Sequence, residues 1–137
     1  MIQRQQSLWL LLATIGAILS FKYPFYAGGK ETPTSGGASY IDAGSNFFLI
    51  ILTVAALVLA VITIFLYKER KRQLRFCFIG LAISILLILI YFNETKKLPG
   101  TLALWSIFVF VIPVGFIMAA RGIWKDQKLV KSLDKLR

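Results

Sequence analysis

The sequence predicts an all-α membrane protein, namely a four-transmembrane-helix bundle with a C-terminal basic amphipathic helix. Hydrophobic residues make up 58% of the chain and charged residues 16%, whereas soluble domains average about 45–50% and about 25%. The charges are also gathered into short blocks between long uncharged runs. With 137 residues, the chain has room for one domain.

The clearest charged block, residues 67–75, is called the basic turn below. It holds five cations and one anion and lies between two uncharged apolar runs, 47–66 and 76–92. Each ionic side chain costs roughly 2.5–3.5 kcal/mol at the bilayer centre, so this block must stay in water. It therefore predicts the cytoplasmic turn of a transmembrane hairpin.

The first predicted span covers residues 7–26. A secretory signal peptide is the alternative, with Arg4 in its charged region. However, the bulky aromatic segment 21–26 follows where a small-residue cleavage site would be needed. Aromatic residues and a snorkelling Lys22 are typical of a membrane interface, so we expect an uncleaved helix.

The segment 27–45 is rich in Gly and Ser and is expected to be a mobile linker, because it can bury little apolar surface. A ligand or partner site is the alternative reading of this segment. Within it, the pair 40–41 could form a brief strand or dock on the bilayer surface. Asn46 and Thr101 are candidate N-caps for the second and fourth spans. The remaining spans are predicted over 46–67, 76–92 and 101–120.

The fourth span contains Pro113 and Gly115. Proline removes an amide donor and frees the carbonyl of Val109, so a helix kink is expected at this point. The kink could be a static feature or a functional hinge, and a static kink is the simpler expectation.

The tail, residues 121–137, has the pattern of a basic amphipathic helix, with apolar residues on one side and lysines on the other. We expect it to lie on the cytoplasmic face of the membrane or to pack on a partner. Its cations could contact lipid phosphates or an acidic protein. These possible lipid- or partner-contacting residues are Arg121, Lys125, Lys128, Lys131, Lys135 and Arg137.

The distribution of cations predicts the orientation. Arg4, the five cations of the basic turn and the six of the tail fall on one side of the membrane. Only Lys22, Lys30, Lys96 and Lys97 fall on the other. By the positive-inside rule, both termini lie in the cytoplasm. The net charge of +10 is then explained by topology and anionic lipid, so no nucleic-acid partner is expected.

The residue inventory argues against an enzyme. The chain has no histidine and one cysteine, Cys77, so a His general base, common zinc sites and an intramolecular disulfide are excluded. The predicted spans contain hydroxyl groups but no carboxylate, and such hydroxyls can bond to their own helix. Glu69, Asp126 and Asp134 are expected to be solvated surface charges. No catalytic residue, cofactor or metal site is predicted.

Each span also offers one pair of small residues four apart, which lets helix backbones approach closely. We expect these pairs to build the internal bundle rather than an oligomer interface. They are Gly16/Ser20, Ala56/Ala60, Gly80/Ser84 and Gly115/Ala119.

Both ends of the chain resemble a known family. The opening, MIQRQQSLWLLLA, and the tail, with the pattern RxIxKDxKLVKSxDKLR, are similar to the terminal motifs of the bacterial family called domain of unknown function 4293. Together these motifs cover about 30 residues. Ala120 and Trp124 depart from the family's pattern, where a polar Asn and a cation are expected. The resemblance implies a four-helix protein of the bacterial inner membrane and brings no activity with it.

We therefore expect a non-enzymatic accessory or scaffold subunit of a membrane complex, with a protein partner in the membrane. The alternative is a small oligomeric transporter or channel with Pro113 and Gly115 in a gating helix. Four-span exporters of similar size carry an intramembrane acid that this chain lacks. A lipid-modifying enzyme is a third hypothesis, disfavoured by the missing catalytic groups.

Overall fold

The computed structural model describes residues 2–28, 40–41, 43–44, 46–97 and 100–136. Within them the chain forms four long helices that pack into one bundle. They are α1 (Ile2–Lys22), α2 (Phe47–Phe65), α3 (Arg70–Thr95) and α4 (Ile107–Lys135). Successive helices run in opposite directions, and α1 packs most extensively against α4.

A small antiparallel sheet joins the loops at one end of the bundle. Its strands are β1 (Tyr26–Gly28), β2 (Tyr40–Ile41) and β3 (Gly100–Leu102), in the order β2-β1-β3. Of the two possibilities left open for 40–41, the brief strand is therefore the one observed. The rest of the predicted linker, residues 29–39, 42 and 45, lies outside the described residues.

The first helix begins earlier and ends earlier than the predicted span 7–26. It stops at Lys22 because Pro24 disfavours the helical conformation for the residue before it. The amide of Phe25 then donates to the carbonyl of Ile41 at 2.7 Å. The expected interfacial aromatic residue Tyr26 is consequently part of β1 and is buried.

Two candidate caps have different outcomes. Asn46 occupies the N-cap position of α2, although its side chain makes no capping hydrogen bond. Thr101 is not a cap, because it belongs to β3 and pairs with Ala27. A 3₁₀ turn over Leu104–Ser106 follows, so α4 begins at Ile107 and not at residue 101.

The tail does not form a separate helix. It continues α4 without interruption, and the single helix of 29 residues contains Pro113 in its interior. No strong helix breaker follows the apolar part of α4, and Gly122 alone is not enough to end it. The kink predicted at Pro113 stays a prediction.

The bundle is held by two clusters of buried side chains. The cluster near the sheet is aromatic, and Phe25 and Tyr91 pack there with ring centroids 4.4 Å apart. The other cluster runs toward the basic turn and is rich in alanine, and it also contains the buried Cys77. Alanine and glycine let the helix axes approach closely.

The outer surface of the helices is also apolar. Large side chains such as Phe48, Phe65 and Leu89 are exposed along α2 and α3, which is the mark of a surface that contacts lipid or a partner. Among the described residues, three helices are long and apolar enough to cross a membrane. They are Phe47–Phe65, Arg70–Thr95 and Leu104–Lys135.

The structure is thus compatible with a membrane-embedded protein. The prediction of a fourth crossing by α1 stays a prediction. Polar residues shorten the apolar part of α1 at both ends, since Gln5 and Gln6 precede it and Lys22 closes it.

Candidate functional site at the basic end

The end of the bundle opposite the sheet gathers the polar and charged side chains. The start of α1, the basic turn between α2 and α3, and the last turns of α4 meet there because the helices alternate in direction. The tail cations and the basic turn, which are separated by about fifty residues in the sequence, therefore lie at one end.

The basic turn is fixed in place by a buried glutamine. The side-chain nitrogen of Gln73 donates to the carbonyl of Thr63 at 3.1 Å. That carbonyl lies in the last turn of α2, where backbone acceptors have no partner within the helix. Gln73 thus ties the start of α3 to the end of α2. Sequence reasoning missed it, although an uncharged amide within a block of cations was a usable signal.

Most of the basic turn points its charges into solvent. Arg72 pairs with Glu69 at 2.7 Å, and both side chains are more than half exposed. Exposed ion pairs of this kind contribute little to stability. Glu69 is thus the exposed surface charge that we expected, and an excess of positive charge remains around it.

Asp126 is not the solvated surface charge that we expected. It is buried, and its Oδ2 atom accepts a hydrogen bond from Nε2 of Gln6 at 2.9 Å. Asp126 falls three residues after the fully buried Ile123, and this helical spacing places it on the inner face of α4. The bond joins the beginning of α1 to the end of α4 across 120 residues of sequence.

The basic turn and the last turns of α4 enclose an open groove of about 670 Å³, called the basic groove below. Gln127, Val130 and Lys131 line it on the α4 side. Two carboxylates, Glu69 and Asp134, also reach it. Its cations outnumber them and are Lys68, Arg70, Lys71, Arg72, Arg75 and Lys131.

A second depression, called the apolar cleft below, lies between α3 and α4 next to the basic groove. Its volume is about 320 Å³. Aliphatic and aromatic side chains such as Leu74, Phe78 and Ile117 line it, and Arg121 and Trp124 stand at one end. Arg121 is its one charged residue among those described.

The predicted contact residues of the tail are spread over several surfaces. Arg121 borders the apolar cleft and also, together with Lys125, a third depression beside Gln6 and α1. Lys131 borders the basic groove. Lys128 and Lys135 are exposed and line none of these three. Arg137 lies outside the described residues. Arg72 and Arg75, which sequence reasoning did not select as contact residues, line the basic groove.

Pro113 and Gly115 are both buried within the bundle. A Cβ atom at Gly115 would lie 2.8 Å from the carbonyl oxygen of Trp9, and one at Gly16 would lie 2.9 Å from that of Phe108. These two glycines therefore mark backbone contacts between α1 and α4. As expected, the small residues serve contacts inside the bundle.

Several hydroxyls of the four long helices bond to their own helix, as predicted. Thr14, Thr53 and Thr63 donate to the carbonyl four residues earlier, and Ser20 and Ser84 to the carbonyl three residues earlier. These groups are thus satisfied locally, and the distances lie between 2.5 and 2.9 Å.

Together, the fold and this end of the molecule define a class: helical, membrane-compatible bundles that carry a basic groove at one end. Comparison with known families then gives a more particular assignment. The family model described as "Domain of unknown function (DUF4293)" matches residues 2–136. The chain belongs to this family. No curated protein and no solved structure matches the chain.

Proposed function

We propose that the chain is a four-span protein of the bacterial inner membrane with both termini in the cytoplasm. The contacts of α1 support its crossing. Its backbone meets α4 at Gly16 and Gly115, and its beginning meets the end of α4 through Gln6 and Asp126. Because α1 packs alongside α4 from Gln6 to Gly16, it would lie at the same depth in the membrane as α4, which is long and apolar enough to cross. The cation distribution supports the orientation.

We further propose that it acts as a non-enzymatic accessory or scaffold subunit of a membrane complex. The observation that carries this proposal is the uncovered apolar side of the end of α4. Leu129, Leu133 and Leu136 are 46%, 64% and 85% exposed. They lie beyond Arg121, in the part of the helix where membrane lipid would no longer cover them.

The length of α4 supports the same interpretation. Its 29 residues extend about 44 Å, whereas the hydrocarbon core is about 30 Å thick. The last turns therefore extend into the cytoplasm along the helix axis. An amphipathic helix end with its apolar side in water is suited to bind a partner helix.

A gentle-detergent pulldown with mass spectrometry tests the proposal. The full chain should recover a stoichiometric companion, and the double variant Leu129→Gln/Leu133→Gln should recover at least about tenfold less, since hot-spot side chains contribute upward of about 2 kcal/mol. The matched control is Leu104→Gln, at a leucine that is 93% exposed at the opposite end.

Recovery of no companion by the unaltered chain would contradict the accessory role. So would equal losses for the two variants. A flux of ions or amphiphilic cations across liposomes containing the purified chain would favour the transporter hypothesis instead.

A further inference from the structure

The basic groove and the apolar cleft lie end to end between α3 and α4. Leu74 borders the cleft, and Arg70 and Lys71, one helical turn earlier, border the groove. On α4, Trp124 borders the cleft and Gln127, three residues further, borders the groove. Residues three and four apart share a helix face, so the two depressions lie in line between α3 and α4. Together they are called the α3–α4 channel below.

The two halves of this channel have opposite chemistry. The cleft is lined by Phe78, Leu81 and Ile117 together with other uncharged side chains, apart from Arg121 at its end. The groove carries six cations against two carboxylates among its described residues. A ligand that fits both halves must have an apolar chain and an anionic group on one molecule.

Two further features add positive potential to the groove. The N-terminus of α3, which begins at Arg70, lies there, and the first amides of a helix have no partner within it and carry partial positive charge. The side-chain nitrogen of Gln127 is buried and has no acceptor among the described residues. Phosphate oxygens are acceptors for both kinds of donor.

We propose that the α3–α4 channel binds an anionic phospholipid of the cytoplasmic leaflet. An acyl chain occupies the apolar cleft, and the phosphate lies between Arg121 and the cations of the basic groove. Trp124 lies at the junction of the two halves. In the proposed orientation this is the level of the membrane interface, where tryptophan is enriched. This site rests on the membrane orientation proposed above and is independent of any protein partner.

The apolar half favours lipid over an acidic peptide. The cleft opens beside exposed residues such as Phe78 and Ile117, at a depth where the helices face hydrocarbon. A peptide approaching from the cytoplasm would contact the basic groove alone. A phospholipid already in the leaflet can place its acyl chain in the cleft and its phosphate at the near end of the groove, between Arg75 and Arg121, without leaving the membrane.

Native mass spectrometry of the full chain tests the proposal. The protein is released from mixed micelles that contain equal amounts of dioleoyl phosphatidylglycerol and dioleoyl phosphatidylcholine, and the retained lipid is counted. We expect one phosphatidylglycerol in preference to phosphatidylcholine. The double variant Arg75→Gln/Arg121→Gln should reduce that preference by about thirtyfold, because each cation near the surface contributes about 1 kcal/mol.

The control variant is Lys128→Gln/Lys135→Gln, which removes the same charge from exposed positions outside the channel. It should retain phosphatidylglycerol within about twofold of the unaltered chain. A third variant, Ile117→Trp, leaves every charge in place and fills the mouth of the cleft at a residue that is 42% exposed. It should reduce lipid retention and leave the fold intact by circular dichroism.

Equal retention of the two lipids by the unaltered chain would overturn the proposal. So would an equal loss in the control variant, which would indicate charge attraction without a site. Displacement of the lipid by millimolar glycerol phosphate would show that the groove binds a free phosphate. Displacement by a polyglutamate peptide would show that it binds acidic peptides. Either result would overturn the lipid site.

The other two proposals fail by different results. Failure of the chain to sediment with membranes would refute the proposed location, and failure to capture a companion would refute the accessory role alone.

Discussion

Glycines 16 and 115 show how single residues set the spacing between α1 and α4. At both positions an added Cβ would approach a backbone carbonyl oxygen of the facing helix to less than 3 Å. Backbone atoms cannot move aside as the end of a flexible side chain can. Gly80 differs, because an added Cβ there would meet the ring of Phe116.

The replacement Gly115→Val should destabilise the bundle. Valine is close to glycine in helix propensity, so the effect reports mainly the clash with Trp9 and Ala13. We expect a loss of about 1–3 kcal/mol in the free energy of unfolding, measured by thermal or denaturant unfolding in detergent micelles.

The control is Val114→Ile, which adds one methylene at a neighbouring residue that is 48% exposed. It should change the free energy of unfolding by less than about 0.5 kcal/mol. Equal stability of Gly115→Val and the unaltered chain would mean that α1 and α4 are not in backbone contact.

At the scale of whole elements, the sequence predicted the helices better than their ends. Uncharged runs predict α2 and α3 because charged residues are excluded from lipid. The ends depend on long-range pairing that no local pattern contains. Thr101 has the hydroxyl side chain of a typical N-cap, but it pairs with Ala27 of β1 and therefore belongs to a strand.

The candidate site was predictable in part. The cations of the basic turn and the tail follow from the sequence, and their convergence at one end follows from an even number of crossings. Burial of Asp126 could have been inferred from its spacing to Ile123, but its partner Gln6 could not. The apolar cleft depends on how α3 and α4 pack, which periodicity alone does not specify.

The continuity of α4 has a direct consequence for distances within it. Spin labels at Val114 and Leu133, which are 48% and 64% exposed, should lie about 29 Å apart at their Cα atoms, because 19 residues separate them. A tail that turned onto the membrane surface after Arg121 would shorten this distance to about 21 Å for a right-angled bend.

Double electron–electron resonance on the protein in nanodiscs measures this distance. Cys77 is buried and is replaced by alanine so that only the introduced cysteines are labelled. A second pair within α2, at Phe48 and Phe65, which are 71% and 75% exposed, serves as the control and should lie about 26 Å apart in either arrangement. A distribution centred near the shorter distance would contradict a continuous helix.

At the scale of the whole molecule, the two ends of the bundle have different organisation. One end closes its loops with a three-stranded sheet, and the other collects the basic turn, the start of α1 and the end of α4. This polarity follows from an up-and-down arrangement, in which β1 and β3 emerge at the same end because α1 and α3 run in the same direction. It also gathers the cations of the basic turn and of α4 at one end, and such a bias is what sets orientation under the positive-inside rule.

In the part of the chain that the structure describes, three helices meet the length and hydropathy requirements for crossing. The position of the N-terminus therefore distinguishes three crossings from four. A reporter that is active only outside the cytoplasm should be active when inserted after residue 33 and inactive when fused after Arg137 or inserted in the basic turn after Lys71. A short N-terminal epitope should be protected in intact spheroplasts and accessible after permeabilisation. If α1 does not cross, the epitope is accessible in intact spheroplasts while the reporter results stay the same.

The cations at 70, 71, 72 and 75 should help to set the orientation, since the positive-inside rule acts through them. Replacing all four with glutamine should lower the fraction of molecules in the proposed orientation, as measured by the same reporters. An unchanged reporter pattern in that variant would assign the orientation to the tail cations.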